Sequence, residues 1–325
     1  MKNIFLRFSF VCFLLSGIHG FAQEVQLATL QSGDNMQVFY GANALIDALS
    51  AAKTGDLISL SSGIFTAPTI TKVVTIQGAG CATDFEKGRY ATMINGTTTI
   101  SLQETDEGLL IEGIYFGILN NTGKLVSCTF TKCCFNTVTL NSGSSTTSNC
   151  SFFHCRIGTF NPDQSTKNLF VKNSIINSIG SWITTEATLI IQNSFLGIPS
   201  GNNGVNAVFT NNILSISGII PSSSTAYNNV CIRGGLDLVT MKSGNTKSDI
   251  QTLFGKEELA VWSIEDYVLT SEAQTTFLGT DGTQVGIYGG SIPFSDVPSN
   301  LQITKKEIDA KSSPDGKLKV NITVE

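Results

Sequence analysis

The chain has 325 residues, 41 % of them hydrophobic and only 14 % charged, with a formal net charge of −5. That apolar content excludes a disordered chain, and the acidic balance excludes the basic footprint of a nucleic-acid or anionic-membrane binder. Thirty-one Gly and abundant Ser, Thr and Asn stand in for the missing charge, a composition of strands and turns.

The first stretch, "MKNIFLRFSFVCFLLSGIHGFAQ", has a basic start at Lys2 and Arg7, an apolar run over residues 8–15 and a small-x-small site at Gly20-Phe21-Ala22. This predicts a secretory signal peptide over residues 1–22, too short to span a membrane. Its loss removes two positive charges and takes the net from −5 to −7, which gives no reason to expect an acidic polysaccharide as ligand. Cys12 lies in the apolar run without the small residues of a lipoprotein site, and no later segment is long and apolar enough to be transmembrane. The mature chain is expected to be exported, to the periplasm, the outer cell surface or the medium, and to be a monomer.

Ala44, Leu45, Ala48, Leu49 and Ala52 would line one face of a short amphipathic helix. Gly55-Asp56 then turns the chain, and strands are predicted at residues 57–60 and 64–66.

Further on, "LFVKNSIINS" sets Asn173 between apolar pairs, where a strand interior would not want it. "LIIQNSFLG" and "AVFTNNILS" repeat the pattern. Taking the residue before each apolar pair as a column aligns Gly113, Cys128, Cys150, Asn173, Asn193, Asn211 and Asn229. The residue two places later is apolar in every row, and the one before the column (Glu112, Ser127, Asn149, Lys172, Gln192, Thr210, Asn228) is polar. A period near 20 with in-out alternation is the signature of a solenoid of strands. The column residue is expected to bend the chain at positive φ, which Asn tolerates, and stacked side chains would hydrogen-bond along a ladder. The polar residues before it read as a solvated face.

Seven cysteines remain after the leader, an odd number that rules out complete internal pairing. Cys128 and Cys150 share the spacing of Cys133 and Cys155, which marks them as coil positions. They read as packed small apolar groups, with disulfides between adjacent coils as the rival.

Residues 43–80, "NALIDALSAAKTGDLISLSSGIFTAPTITKVVTIQGAG", resemble the opening of a right-handed parallel β-helix of the pectin-lyase-like superfamily, where a short helix caps the first coil. The resemblance covers roughly residues 40–290. Near its end, "DYVLTSEAQTTFLGTDGTQVGIYGG" is similar to the segment that closes the helix in secreted β-helix proteins of Bacteroidetes-type bacteria. The expected fold is all-β: a single-stranded right-handed parallel β-helix over residues 23–290, with an N-terminal helical cap. Residues 291–325, with Pro293, Pro298, Pro314 and dense lysines, read as a hairpin-like C-terminal β tail that covers the open end or anchors the chain.

The superfamily contains many polysaccharide lyases and hydrolases, so carboxylate clusters were sought. Across residues 108–236 the acids are Glu112, Asp163 and Glu186, in different repeats with no shared offset. No catalytic residue, metal site or cofactor is identified. His154 reads as structural between Phe153 and Cys155, and a zinc site with Cys133, Cys134 and Cys155 is the disfavoured alternative. Asp281 sits in a Gly-rich turn that lacks the lysine and helix of a phosphate loop. The resemblance places substrate against the first sheet, near a turn at Gly180-Ser181. Trp182 there could stack on a sugar, with Phe160, Asp163 and Glu186 beside it. The sequons at Asn95, Asn149 and Asn321 carry little weight in a chain that looks bacterial.

The expected function is that of a non-catalytic surface protein, glycan-binding or structural in the envelope, with a polysaccharide or cell-surface glycan as partner. The alternative is a lyase or hydrolase using Lys172 or Arg156 as base with Asp163 and Glu186.

Overall fold

The structure, a computed structural model, describes residues 26–86, 89–140, 147–162, 166–180, 188–198, 206–216, 224–233, 241–260, 262–299, 303–308, 311 and 316–324. It is a parallel β-solenoid of about eight turns, built on one twelve-stranded and one eleven-stranded sheet. A third, short sheet pairs Leu125–Val126 with Thr147–Ser148. Among the described residues no helix is long and apolar enough to cross a membrane.

The cap helix α1 spans Ala44–Ala51 and buries Ala44, Leu45, Ala48 and Leu49, as its periodicity requires. A second capping device precedes it. Strands Leu27–Ser32 and Asn35–Tyr40 form an antiparallel hairpin, and the first of them pairs antiparallel with Leu57–Leu60. From there onward the strands of both large sheets run parallel.

Two inward columns fill the coil. In the first sheet Ile111, Phe130, Phe152, Val171, Ile191, Phe209 and Ala226 stand in register. In the second sheet the column is Phe116, Phe135, Ile157, Ile176, Leu196, Leu214 and Cys231. All are buried in one core, where Phe130 stacks on Phe152 at 4.8 Å and Phe116 on Phe135 at 5.2 Å.

The bend between the sheets is where the sequence register needs correction. The residues at positive φ are Gly113, Lys132, His154, Asn173, Asn193, Asn211, Asn228 and Gly244. Asn173, Asn193 and Asn211 belong to that column. Cys128 and Cys150 do not: they follow Ser127 and Asn149, which bend a different corner at φ 54°. Asn229 lies one residue past its αL neighbour Asn228. The slip has a physical reason. Each corner places a left-handed residue before a small buried one and then a strand, so "SCTF" and "NCSF" mimic "NSII" and "NSFL".

The hydrogen-bonded ladder is the next column inward, made of Cys133, Cys155, Ser174, Ser194, Asn212, Asn229 and Asn245. The amide of Cys155 donates to Ser174 Oγ, Ser174 to Ser194 Oγ, Ser194 to Asn212 Oδ1, Asn212 to Asn229 Oδ1 and Asn229 to Asn245 Oδ1, all at 2.9–3.1 Å. At the cysteine end the thiols of Cys133 and Cys155 donate to carbonyls two residues back.

The αL column is covered. After helices α2 (Ile250–Phe254) and α3 (Ser271–Thr276), residues 277–299 run back along it as a strap. Asn228 donates to Leu278 O, Thr280 N donates to Asn211 Oδ1, and Asn173 donates to Ile287 O and Gly289 O. Ser295 N donates to His154 Nδ1, and Ser299 donates to Glu112 Oε1 through both its amide and its hydroxyl. The Gly-rich stretch around Asp281 is therefore more than a closing turn. A Cβ on Gly279 would lie 2.7 Å from Asn211, and one on Gly289 2.0 Å from Gln284 O, so only glycine permits this approach. Glu112 is buried and also lies 3.4 Å from Lys132, so the solvated-face reading is corrected at that position, while Ser127 and Asn149 of the same stripe are exposed.

The strap continues through Gly290 without a break, so the helix-associated chain extends to Ser299. The tail strands Ile303–Ile308 and Val320–Val324 pair antiparallel in a sheet of their own.

His154 clips this strap, with its ring stacked on Phe294 and its Nδ1 accepting from Ser295. Burial, helped by Lys132 and Lys172, holds its pKa below the ordinary 6.5. The unfolded chain therefore takes up a proton at a pH where the folded chain does not. The stabilisation is complete above pH 6.5 and is lost as pH falls below it toward the folded value. The urea midpoint should drop between about pH 7 and about pH 5, and His154→Asn, which keeps the αL bend without a titrating group, should flatten that drop.

Candidate functional site

In a strand, neighbouring residues face opposite sides, so each inward residue of the second sheet has an outward neighbour. That outward column reads Tyr115, Cys134, Arg156, Ile175, Phe195, Ile213 and Val230. Its apolar half is sealed by Leu253, Phe254, Tyr267, Val285 and Ile287 in a second hydrophobic cluster. Its other half, Tyr115 to Arg156, lines a recess of about 240 Å³, and Arg156 also lines an adjoining cleft of about 900 Å³.

Three segments wall the cleft. The first is the loop before strand Thr92–Ile100, where Asp84 and Arg89 exchange backbone hydrogen bonds and pair their side chains at 3.1 Å. This loop presents Phe85, 78 % exposed and edge-on to Tyr90. A disulfide from Cys81 to Cys134 ties the loop to the sheet. The second wall is the segment before the 3-10 turn Ile264–Tyr267, braced by an ion pair of Lys256 with Asp266. It carries Trp262, 43 % exposed and 6.4 Å from the Tyr115 ring. The strap supplies the third, with Tyr288, Phe294 and Asp296.

Arg156 sits between them, 5 % exposed. Its Nη1 donates to Trp262 O at 2.8 Å, and its Nη2 lies 3.8 Å from Asp296 and 3.9 Å from Cys81 Sγ. Its Nε has no partner. Desolvation pulls its pKa down, opposed by Asp296 and Glu265. Burial, then Glu265 and Asp296, pushes the Tyr288 phenol up, and burial pushes Tyr267 up to about 12.

Trp182, Asp163 and Glu186 lie outside the described residues. Phe160 is corrected: it is an inward residue, fully buried and edge-on to Phe152 at 5.4 Å, and cannot meet a sugar. Arg156, named only as a candidate base, does reach the cleft. The cleft's carboxylates Asp84, Glu86, Glu265 and Asp296, with Arg89 and Trp262, are not among the sequence-predicted residues, because they lie outside the coil body of residues 108–236. "CATDFEKGRYA" and "VWSIEDY", dense in aromatics and charge in a chain poor in both, were the signals available.

The zinc alternative loses its ligands, because Cys134 is disulfide-bonded and the thiols of Cys133 and Cys155 face core carbonyls. Among the described residues no group of His, Cys, Asp and Glu could hold a metal ion. The remaining thiols, Cys128, Cys133, Cys150, Cys155 and Cys231, are free and buried. Burial pushes Cys133 and Cys231 up to about 12, so neither supplies a thiolate nucleophile.

No family model, no curated protein and no solved structure matches this chain.

Proposed function

We propose that this chain is an exported β-helix protein of the pectin-lyase-like type that binds a glycan in the Arg156 cleft without cleaving it. The observation that carries the reading is a wide cleft uniting an exposed indole, Trp262, with guanidinium and carboxylate groups. Aromatic rings meet the apolar faces of sugars, and fixed polar groups orient the hydroxyls. The disulfide agrees with an oxidising compartment outside the cytosol.

A second reading, glycoside hydrolysis, is favoured by the presence of four carboxylates in one cleft. Against it, Asp84 and Asp296 are each already engaged by an arginine, at 3.1 Å and 3.8 Å.

One experiment tests both. The mature protein is screened on a glycan array, and the bound glycans are then incubated with it and assayed for new reducing ends or unsaturated sugars. Binding without products is the expected result. Products would establish the enzyme, and absence of binding would remove the glycan reading. Trp262→Ala should weaken binding about tenfold. Its melting temperature should stay unchanged, because the indole is half out in solvent.

A further inference from the structure

We infer that the cleft takes a saccharide without charged groups and turns away polyuronates, an inference that rests on the glycan-binding reading above. Among the described residues, the lining carries four carboxylates, Asp84, Glu86, Glu265 and Asp296, against two guanidinium groups, Arg89 and Arg156. Both guanidinium groups already face a carboxylate, Asp84 at 3.1 Å and Asp296 at 3.8 Å. Glu86 and Glu265 remain in excess. A polyanion would enter a concave, partly desolvated site whose surplus charge has its own sign, where such repulsion is focused rather than screened.

Each guanidinium carries five N–H groups, and the bonds to Asp84, Trp262 O, Cys81 and Asp296 engage only part of them. Both arginines line the cleft, so the N–H groups left over are donors at its wall. The carboxylates offer acceptors. A ligand that satisfies both must accept at one point and donate at another. A carboxylate only accepts and an ammonium only donates, whereas a hydroxyl does both. The recess beside Arg156 fits the same chemistry. It is lined by Tyr115, Trp262, Ala82 and the Cys81–Cys134 disulfide, and among the described residues Arg156 is its one charged group. A sugar ring lying between the two aromatic side chains would present its hydroxyls to the guanidinium edge.

The test is titration calorimetry of the mature protein with neutral gluco-, xylo- and manno-hexasaccharides, an oligogalacturonate and a chitosan hexamer. Each is run at about 50 mM and about 500 mM salt. The expected result is binding of at least one neutral oligosaccharide, with an affinity that changes less than about twofold between the two salts. Glu86→Gln/Glu265→Gln, which removes the surplus charge and keeps an oxygen acceptor at both positions, should admit the oligogalacturonate. Tighter binding of the oligogalacturonate or the chitosan hexamer by the unaltered protein, or affinity that collapses with salt, overturns the inference and leaves the cleft a glycan site. Binding of none of the sugars, or binding that Trp262→Ala does not weaken, overturns the glycan reading itself.

Discussion

Reducing the Cys81–Cys134 bond, or replacing both residues by serine, should lower the stability of the folded chain by about 4 kcal/mol, the loop-closure value for cysteines this far apart. The two cysteines are separated by 53 residues, so the cross-link removes a large loop from the unfolded ensemble. Dithiothreitol should act on this bond alone among the described cysteines, because the others are already thiols buried in the core. A shifted urea midpoint on reduction is the readout, and equal midpoints for the reduced and unreduced protein would show that the bond does not form. The same change should loosen the loop that presents Asp84, Phe85 and Arg89 to the cleft. Glycan affinity should then fall with reduction even at temperatures where the coil stays folded.

How far the fold could be read in advance depended on which periodicity carried the information. The helix α1 and the winding of the coil were visible because burial recurs at fixed spacing, and Ala44, Leu45, Ala48 and Leu49 obey it. The corner register was ambiguous because every coil has more than one bend, and Cys128 satisfies the same local pattern as Asn173. A stronger signal passed unused. Ile175-Ile176, Phe195-Leu196 and Ile213-Leu214 are apolar on both faces of a strand, and one face of a solenoid normally meets water. Paired apolar residues therefore announce an outer layer, here the segment from Leu253 to Ile287. The same column carries Tyr115, Cys134 and Arg156 where that layer stops, and the cleft opens there. The remainder was illegible for a different reason. The carboxylates of the cleft come from loops far apart in sequence, and only the folding back of the strap brings Asp296 to Arg156.

Asn229→Leu should cost about 3–5 kcal/mol, while Asn228→Gly, one residue earlier, should cost about 1 kcal/mol or less. The two asparagines do different physical work. Asn228 lies at φ 49° on the outside of the bend, and its side chain donates to Leu278 O at 3.1 Å. Glycine reaches that φ without strain, which offsets part of the lost bond. Asn229 points into the coil and is fully buried. Its Oδ1 accepts from both the amide and the side chain of Asn212, and its Nδ2 donates to Phe209 O and Asn245 Oδ1. Leucine has a similar size but supplies neither donor nor acceptor. It would take the side-chain partner from the Asn212 amide and the Phe209 carbonyl, both on the preceding coil and in a place water cannot reach, at about 1–3 kcal/mol for each group left unpaired. Urea titrations followed by circular dichroism would measure both variants against the parent. A gap of several kcal/mol places the ladder in the inner column, and equal losses would mean that the side-chain amides contribute no more than the bend they accompany.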